Sequence, residues 1–327
     1  MKNLILIISV ILVFSSQSFG QFNKAGRTVM QFLKIGVGAR QVGLGEANIA
    51  SVNDINSIFW NPSAITGIRG TEASFTYTNW LVDLGVYSGA VGLNIEGIGA
   101  FALSYISLDY GKIDEALVTS SSGGSDTRTG ESFSGSDVSL GLGFAKQFTD
   151  KLSIGLNVKY IKETLFQYST DLWAFDVGSF YDTGWKGVRI AMSAQNFSST
   201  ARWLNTKEEE QQSYDLPLIY RIGVSIDLLG GEELFFGGDD ELQKLTLNAD
   251  AIHSNDYAER LNIGLEYTVF NMFTLRGGYR INYDEGNLCL GAGFKYDAGF
   301  TKLIVDYAYV NYDFLNSPHR ISVIMSF

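Results

Sequence analysis

The chain has 327 residues, 46% of them hydrophobic and 18% charged, with 36 Gly, 3 Pro and a formal charge of −11. One Cys and two His offer neither a disulfide framework nor a His-built metal site, and the acidic balance argues against a nucleic-acid-binding surface. No interior stretch approaches the ~18 consecutive apolar residues of a membrane helix; this excludes a helical membrane protein but not a β-barrel, whose apolarity falls on alternate residues.

In chain order, the first element is a secretory signal over residues 1–20. Lys2 precedes an apolar run from Leu4 to Phe14, and Ser18-Phe19-Gly20 places small residues before Gln21. Cleavage is expected after Gly20, exporting the chain. Residues 21–70 carry Gly36, Gly38, Gly43, Gly45, Gly67 and Gly70 without clean alternation. A short helix is expected near Asp54–Phe59, capped by Asp54 and ended by Asn61-Pro62. Gly36-Val37-Gly38 lacks the third glycine and the strand–helix setting of a phosphate loop. The segment is too short for its own core, so it is read as an N-terminal hatch, or plug, folded into a lumen.

From Glu72 the chain reads in period two. Leu152, Ile154, Leu156, Val158 and Tyr160 alternate with Ser153, Gly155, Asn157 and Lys159, and Leu261, Ile263, Leu265 and Tyr267 alternate with Asn262, Gly264 and Glu266. Strands fit this pattern and helices do not. Fourteen such segments are expected, at 72–81, 86–95, 99–108, 137–147, 152–162, 171–181, 188–197, 216–228, 243–253, 258–269, 273–281, 288–296, 301–309 and 319–327. The fold class is therefore all-β, a transmembrane antiparallel barrel over residues 71–327.

A soluble sandwich also alternates, but three features favour the barrel. The polar face mixes glycine with charge, as in Arg221, Gly223, Ser225 and Asp227 or Arg276, Gly278 and Arg280; with Lys159 and Glu266 these charges are assigned to the lumen. Long connections, Asp109–Ser136 and Ser198–Asp215, alternate with short turns such as Thr149-Asp150 and Phe270-Asn271-Met272, although the acidic 230–241 stretch is long for its side. Finally, Ile321, Val323, Met325 and Phe327 alternate and end on a terminal aromatic. This resembles the signal that the barrel-assembly machinery reads in bacterial outer-membrane proteins.

Catalytic motifs are absent: there is no Gly-x-Ser-x-Gly elbow and no His-Glu-x-x-His. His253, near Asp250 and Asp256, and His319 read as solvated rim residues, and Cys289 as an inert lumen residue. Glu208-Glu209-Glu210 reads as a loop tip, Trp60 as packing for the hatch, and Tyr307, Tyr309 and Tyr312 as an aromatic girdle. No cofactor and no metal are expected.

The segment Gly38-Ala39-Arg40, Gly45-Glu46-Ala47, Asp54 and Asn61-Pro62-Ser63-Ala64 resembles the N-terminal pattern of the PorV/PorQ family, Ser63 standing where that family usually has Ala. Further matches are Leu216-Pro217-Leu218-Ile219-Tyr220-Arg221-Ile222-Gly223, Arg260 to Tyr267, Leu275-Arg276-Gly277-Gly278-Tyr279 and Asp306-Tyr307-Ala308-Tyr309. The family is related to the FadL-type fatty-acid transporters, fourteen-stranded barrels with an N-terminal hatch. The resemblance implies an outer-membrane protein of type IX secretion that binds or shuttles exported proteins, with secretion components, secreted proteins and outer-membrane lipids as partners. The alternative is a FadL-like channel for uptake of hydrophobic small molecules. A polar, plugged lumen favours the first; a continuous apolar path favours the second.

Overall fold

A computed structural model describes residues 26–116, 128–201, 213–231, 234–239 and 242–327. The secretory signal over residues 1–20 and the Glu208–Glu210 run lie outside the described residues.

Fourteen strands follow one another around a closed antiparallel barrel. They are β1 (Thr71–Asn79), β2 (Gly85–Ile95), β3 (Gly99–Ala116), β4 (Arg128–Gln147), β5 (Leu152–Leu165), β6 (Tyr168–Asp182), β7 (Val188–Ser198), β8 (Ile219–Leu229), β9 (Gln243–Ser254), β10 (Arg260–Val269), β11 (Phe273–Ile281), β12 (Leu288–Asp297), β13 (Lys302–Val310) and β14 (His319–Ser326). Each strand pairs with its neighbours in sequence, and β1 closes on β14 in the register Thr76↔Ser322. Closure leaves no unpaired edge. Because the strand number is even, both chain ends of the barrel meet on one rim, where Thr71 N–H donates to the Phe327 carbonyl (3.2 Å) and Phe327 N–H to the Thr71 carbonyl (2.8 Å). We call this the short-turn end and the opposite rim the long-loop end.

The barrel is inside-out relative to a soluble protein. Large apolar side chains such as Leu103, Leu140, Leu142, Leu156 and Ile222 are exposed on the outer face, while Asp176, Asp250, Asn262, Arg276, Asp306 and Arg320 are buried on the inner one. The two sets alternate along each strand, the pattern of a wall with hydrocarbon outside and polar groups inside.

The structure differs from the sequence reading at several strand ends, most at β3 and β4, and in the placement of Tyr312. Strands β3 and β4 continue past 108 and before 137, so much of the expected 109–136 loop is a paired extension in which Lys112 faces Ser134. Register shifts at Asp109/Lys112 and Asp114/Ala116 break its alternation, and the Gly- and Ser-rich sequence there has few apolar residues to mark a period. Strand β8 begins at Ile219 rather than 216, because Pro217 has no N–H for the ladder. The carbonyls of Leu216 and Pro217 instead accept from the side chains of Asn255 (2.9 Å) and Asn196 (2.8 Å). Tyr312 does not belong to an outer girdle: it packs inward on the cluster of Ala39, Val42, Cys289 and Val310, edge-on to Trp80. It follows the end of β13, so strand alternation no longer sets its direction.

Two outcomes test this fold. An arginine on the outer face at Leu142, which is 57% exposed and paired with Leu103 and Val158, should destabilise the barrel in a bilayer by about 2–4 kcal/mol, read from urea unfolding in lipid. Unchanged unfolding would place that face away from lipid. Deleting Phe327 should lower the yield of heat-modifiable barrel on SDS gels far more than deleting Ser122; equal yields would refute a C-terminal assembly signal.

Candidate functional site

The described N-terminal segment, residues 26–70, runs through the barrel interior from the long-loop end to the short-turn end. It enters with Val29 N–H on the Asp215 carbonyl (3.1 Å), Met30 N–H on Glu163 Oε2 (3.0 Å) and Lys34 Nζ on Asp256 (2.7 Å). Midway it forms one short helix, α1 (Ala39–Gly43), which begins after Gly38 at φ 88°. Two 3₁₀ turns follow over Ile55–Phe59 and Pro62–Gly67. Asp54 caps the first by accepting from Asn56 N–H (2.9 Å), and Asn61 caps the second by accepting from Ser63 N–H (3.2 Å). Pro62 at the start of the second turn loses no hydrogen bond there. Ser63 Oγ donates to Asn61 Oδ1 (2.7 Å), so the buried hydroxyl is satisfied.

Inward glycines let this backbone lie against the wall. A Cβ on Gly278 of β11 would collide with the backbone of Gly45, itself at φ 66°, and one on Gly155 of β5 would strike Pro62 and Ser63. Trp60 ties two parts of the segment together, its indole N–H donating to the Val37 carbonyl (2.9 Å) with Arg221 stacked 4.8 Å over its ring.

Arg40 and Glu46 of the segment meet charges from the wall, and Asp54 extends the Arg40 contact. Arg40 makes a two-pronged contact with Glu266 of β10 through Nε (2.9 Å) and Nη2 (3.0 Å), and its Nη1 reaches Asp54 (3.1 Å). Glu266 also accepts from Arg276 of β11 (2.6 Å), which in turn binds Asp306 of β13 (2.6 Å). The result is an alternating chain, Asp54–Arg40–Glu266–Arg276–Asp306, in which planar guanidinium and carboxylate groups fix one another's geometry. Glu46 accepts from Arg280 (2.9 Å) and lies 3.9 Å from Arg221. In the opposite sense, wall carboxylates receive amides of the segment: Asp250 accepts from Asn48 (2.8 Å) and Ile49 (3.1 Å), and Glu72 from Ile55 (3.0 Å).

Of the lumen charges named from sequence, Arg221, Glu266, Arg276 and Arg280 thus gather around the segment. Lys159 and Asp227 do not: they pair within the wall, Lys159 with Asp176 (2.7 Å) and Asp227 with Arg189 (2.7 Å). The sequence reading missed Glu72, Asp176, Arg189, Asp250, Asp306 and Arg320. Each sits at an inward strand position, and the flanking pattern Ala249-Asp250-Ala251 or Val305-Asp306-Tyr307 is the signal that would have found two of them. The remaining motif residues, Ala39, Ala47 and Ala64, are small and buried among neighbours. Ile321 and Met325 of β14 and Phe327 just after it are exposed, and Val323 is half-buried.

Apolar contacts hold the segment elsewhere. Met30 and Phe32 join Val86, Leu108, Ile161, Leu172 and Leu216 in a cluster at the long-loop end. Ile55, Ile58, Ile65 and Ile68 pack on Ala90, Ala100, Ala102 and Ala145 of β2 to β4. A cavity of about 720 Å³ borders the ionic side at the short-turn end, lined by Arg40, Asp54, Glu72, Glu266, Arg276 and Asp306 among others.

Removing one partner of the central chain leaves an unpaired buried charge, at a cost of about 3–5 kcal/mol. Arg40→Ala should therefore loosen residues 38–64 and leave the strand ladder intact. Hydrogen exchange should speed up in the segment but not in β10 or β11; equal acceleration in both would make the segment part of the barrel's folding unit. At the entry, burial raises the Asp256 carboxyl, but Lys34, Ser254 and Thr28 outweigh it and hold it below the usual value. Its stabilisation is complete at neutral pH and is lost as pH falls below about 4. Exchange at residues 29–35, corrected for its intrinsic pH dependence, should rise in that range, and Asp256→Asn should abolish the rise.

No family model and no curated protein matches this sequence. Solved structures do. The monoaromatic hydrocarbon channel CymD aligns over 90% of this chain and 98% of its own, with TM-score 0.57 and 13% identity. The Pseudomonas putida toluene transporter TodX aligns over 89% and 97% (TM-score 0.56, 12% identity), and a Pseudomonas aeruginosa FadL homologue over 89% and 98% (TM-score 0.55, 11% identity). At these identities the likeness concerns fold alone: the closed fourteen-stranded barrel of this chain is similar in fold to these proteins.

Proposed function

We propose that the protein is an outer-membrane channel for small hydrophobic molecules, with the N-terminal segment as its hatch. The outward apolar face supports residence in a bilayer, and two of the proteins similar in fold are named as a monoaromatic hydrocarbon channel and a toluene transporter. The short-turn end is then periplasmic and the long-loop end extracellular.

The observation that carries the reading is the apolar cluster at the long-loop end, built jointly by Met30 and Phe32 of the segment and by strand ends of the wall. A hydrophobic solute meets matching surface there, and the surface is shared with the element that has to move. Below it, the segment is held on one side by isoleucines and on the other by ion pairs, beside the 720 Å³ cavity. Displacement toward that cavity opens a path without breaking the apolar side. The wild-type protein is therefore a closed channel that admits solute only when the ionic side lets go.

A second reading, a type IX secretion partner that binds or shuttles exported proteins, draws support from the N-terminal motif and from the polarity of the filled interior around Arg40, Glu266 and Arg276. Transport and docking are separable by experiment. Cells expressing the protein should take up radiolabelled toluene several-fold faster than cells without it, and uptake should fall when Phe32 is replaced by Asp. Uptake equal to that of non-expressing cells, together with cross-linking of exported proteins to the extracellular rim, would establish the docking role instead.

Planar-bilayer conductance tests the hatch itself. Wild type should be closed or nearly so, while Arg40→Ala and deletion of residues 21–64 should each give conducting pores. A wild-type channel already open like a porin, and unchanged by the deletion, would overturn the hatch.

A further inference from the structure

A second cavity, about 270 Å³, opens beside the segment at the long-loop end, and cations dominate its lining. Arg221, Arg260, Arg280, Arg320 and Lys34 all border it, against Glu46 as the lining carboxylate. Two nearby carboxylates are already engaged. Asp256 is held by Lys34 and Thr28, and Asp250 accepts two backbone amides from Asn48 and Ile49 through Oδ2, so that even with its free Oδ1 counted the five cations outnumber the three carboxylates.

The guanidinium groups are under-satisfied. Arg320 is 1% exposed, donates through Nε to the Gly36 carbonyl (3.2 Å), forms no ion pair among the described residues, and leaves Nη1 without a partner. Nε and Nη1 of Arg221 and Nε of Arg280 are likewise buried without a hydrogen bond. At the rim, Arg260 lies between the rings of Tyr257 (4.2 Å) and Tyr283 (4.1 Å), its Nε unpaired, and Arg320 sits 5.2 Å over Trp80. Stacking of this kind holds the forks in place without consuming their in-plane donors.

Buried cations in excess of their carboxylates are costly unless an anion joins them, and fork-shaped donors match carboxylate and phosphate oxygens. We infer that this cavity is a binding site for a compact oxyanion, a phosphate or carboxylate group, received by Arg320, Arg221 and Arg280 with Arg260 at the entrance. The site adjoins the apolar cluster invoked for hydrophobic solutes, sharing Ile35 and Trp80 with it, but its arginines are no part of that cluster and it stands whether or not such solutes pass.

The test is isothermal titration of the full-length, detergent-solubilised protein with inorganic phosphate and, separately, with benzoate, each against sodium chloride of equal ionic strength. Saturable one-to-one binding of either probe is expected, weakened at least tenfold in Arg320→Gln or in Arg260→Gln, each used only if it keeps heat-modifiable mobility. Preference for phosphate identifies a phosphate ligand; preference for benzoate identifies a carboxylate-bearing one. Heats no greater than those of chloride for both probes, or affinities unchanged in the folded arginine variants, would overturn the site.

Discussion

The constraint on which the structure depends is that its polar wall faces inward. Fourteen strands that give their apolar side chains to the outside place Arg221, Asp250, Glu266, Arg276, Arg280 and Asp306 in an enclosed interior. Charges enclosed in this way need partners, since an unpaired buried ion is far more costly than an unpaired surface one. Part of the wall satisfies itself, as Lys159 and Asp176 or Arg189 and Asp227 do. The rest is completed by Arg40, Glu46, Asp54 and the amides of Asn48, Ile49 and Ile55, all from one segment that has no strand of its own.

Such a network is a weak source of net stability but a strong source of position. Its Coulomb energy is largely offset by desolvation, whereas a shift of the segment by one residue would leave several charges without partners at once. The glycines act in the same direction. Gly278 against Gly45 and Gly155 against Pro62 require contact of backbone with backbone, so neither place accepts a shifted register that brings a side chain forward. Position is therefore set by charge and close approach, and adhesion comes from apolar clusters, among them the segment's isoleucines packed on β2 to β4.

What was legible in the sequence follows from this division. Strand number and face assignment were readable because period two is imposed on every strand by the two solvents of the wall, and it marks Leu152 to Tyr160 as clearly as Leu261 to Tyr267. The β3–β4 extension was not, since outside the apolar belt Ser and Gly serve on either face and the period vanishes. Arg221, Glu266, Arg276 and Arg280 were identifiable as inward charges, but which of them meet the segment depends on its path, and no local pattern encodes that path. Hence Lys159 and Asp227 were grouped with the others although they pair within the wall. Arg320 was passed over because it opens the last strand beside His319, where a rim position and an interior one look alike in sequence.

The two ends of the interior differ in a way that bears on opening. At the short-turn end, the Asp54–Arg40–Glu266–Arg276–Asp306 chain alternates in sign, and Arg40 and Glu266 each join two partners. Separating Arg40 from the wall leaves Glu266 still paired with Arg276, and Arg40 still paired with Asp54, so the break leaves neither ion isolated. Separating Ile55 and Ile58 from β2 and β4 has no such compensation, because exposed apolar surface finds no second partner. At the long-loop end the arginines near Glu46 outnumber their carboxylates, so withdrawing Glu46 would leave Arg280 and Arg221 with less than they now have. The segment is thus most readily freed along its Arg40 face, next to the larger cavity, and most firmly retained at its isoleucines and at Glu46. On the channel reading proposed above, a hinge-like displacement follows from that distribution of partners, whereas expulsion of the whole segment would have to break these attachments and those at its entry together.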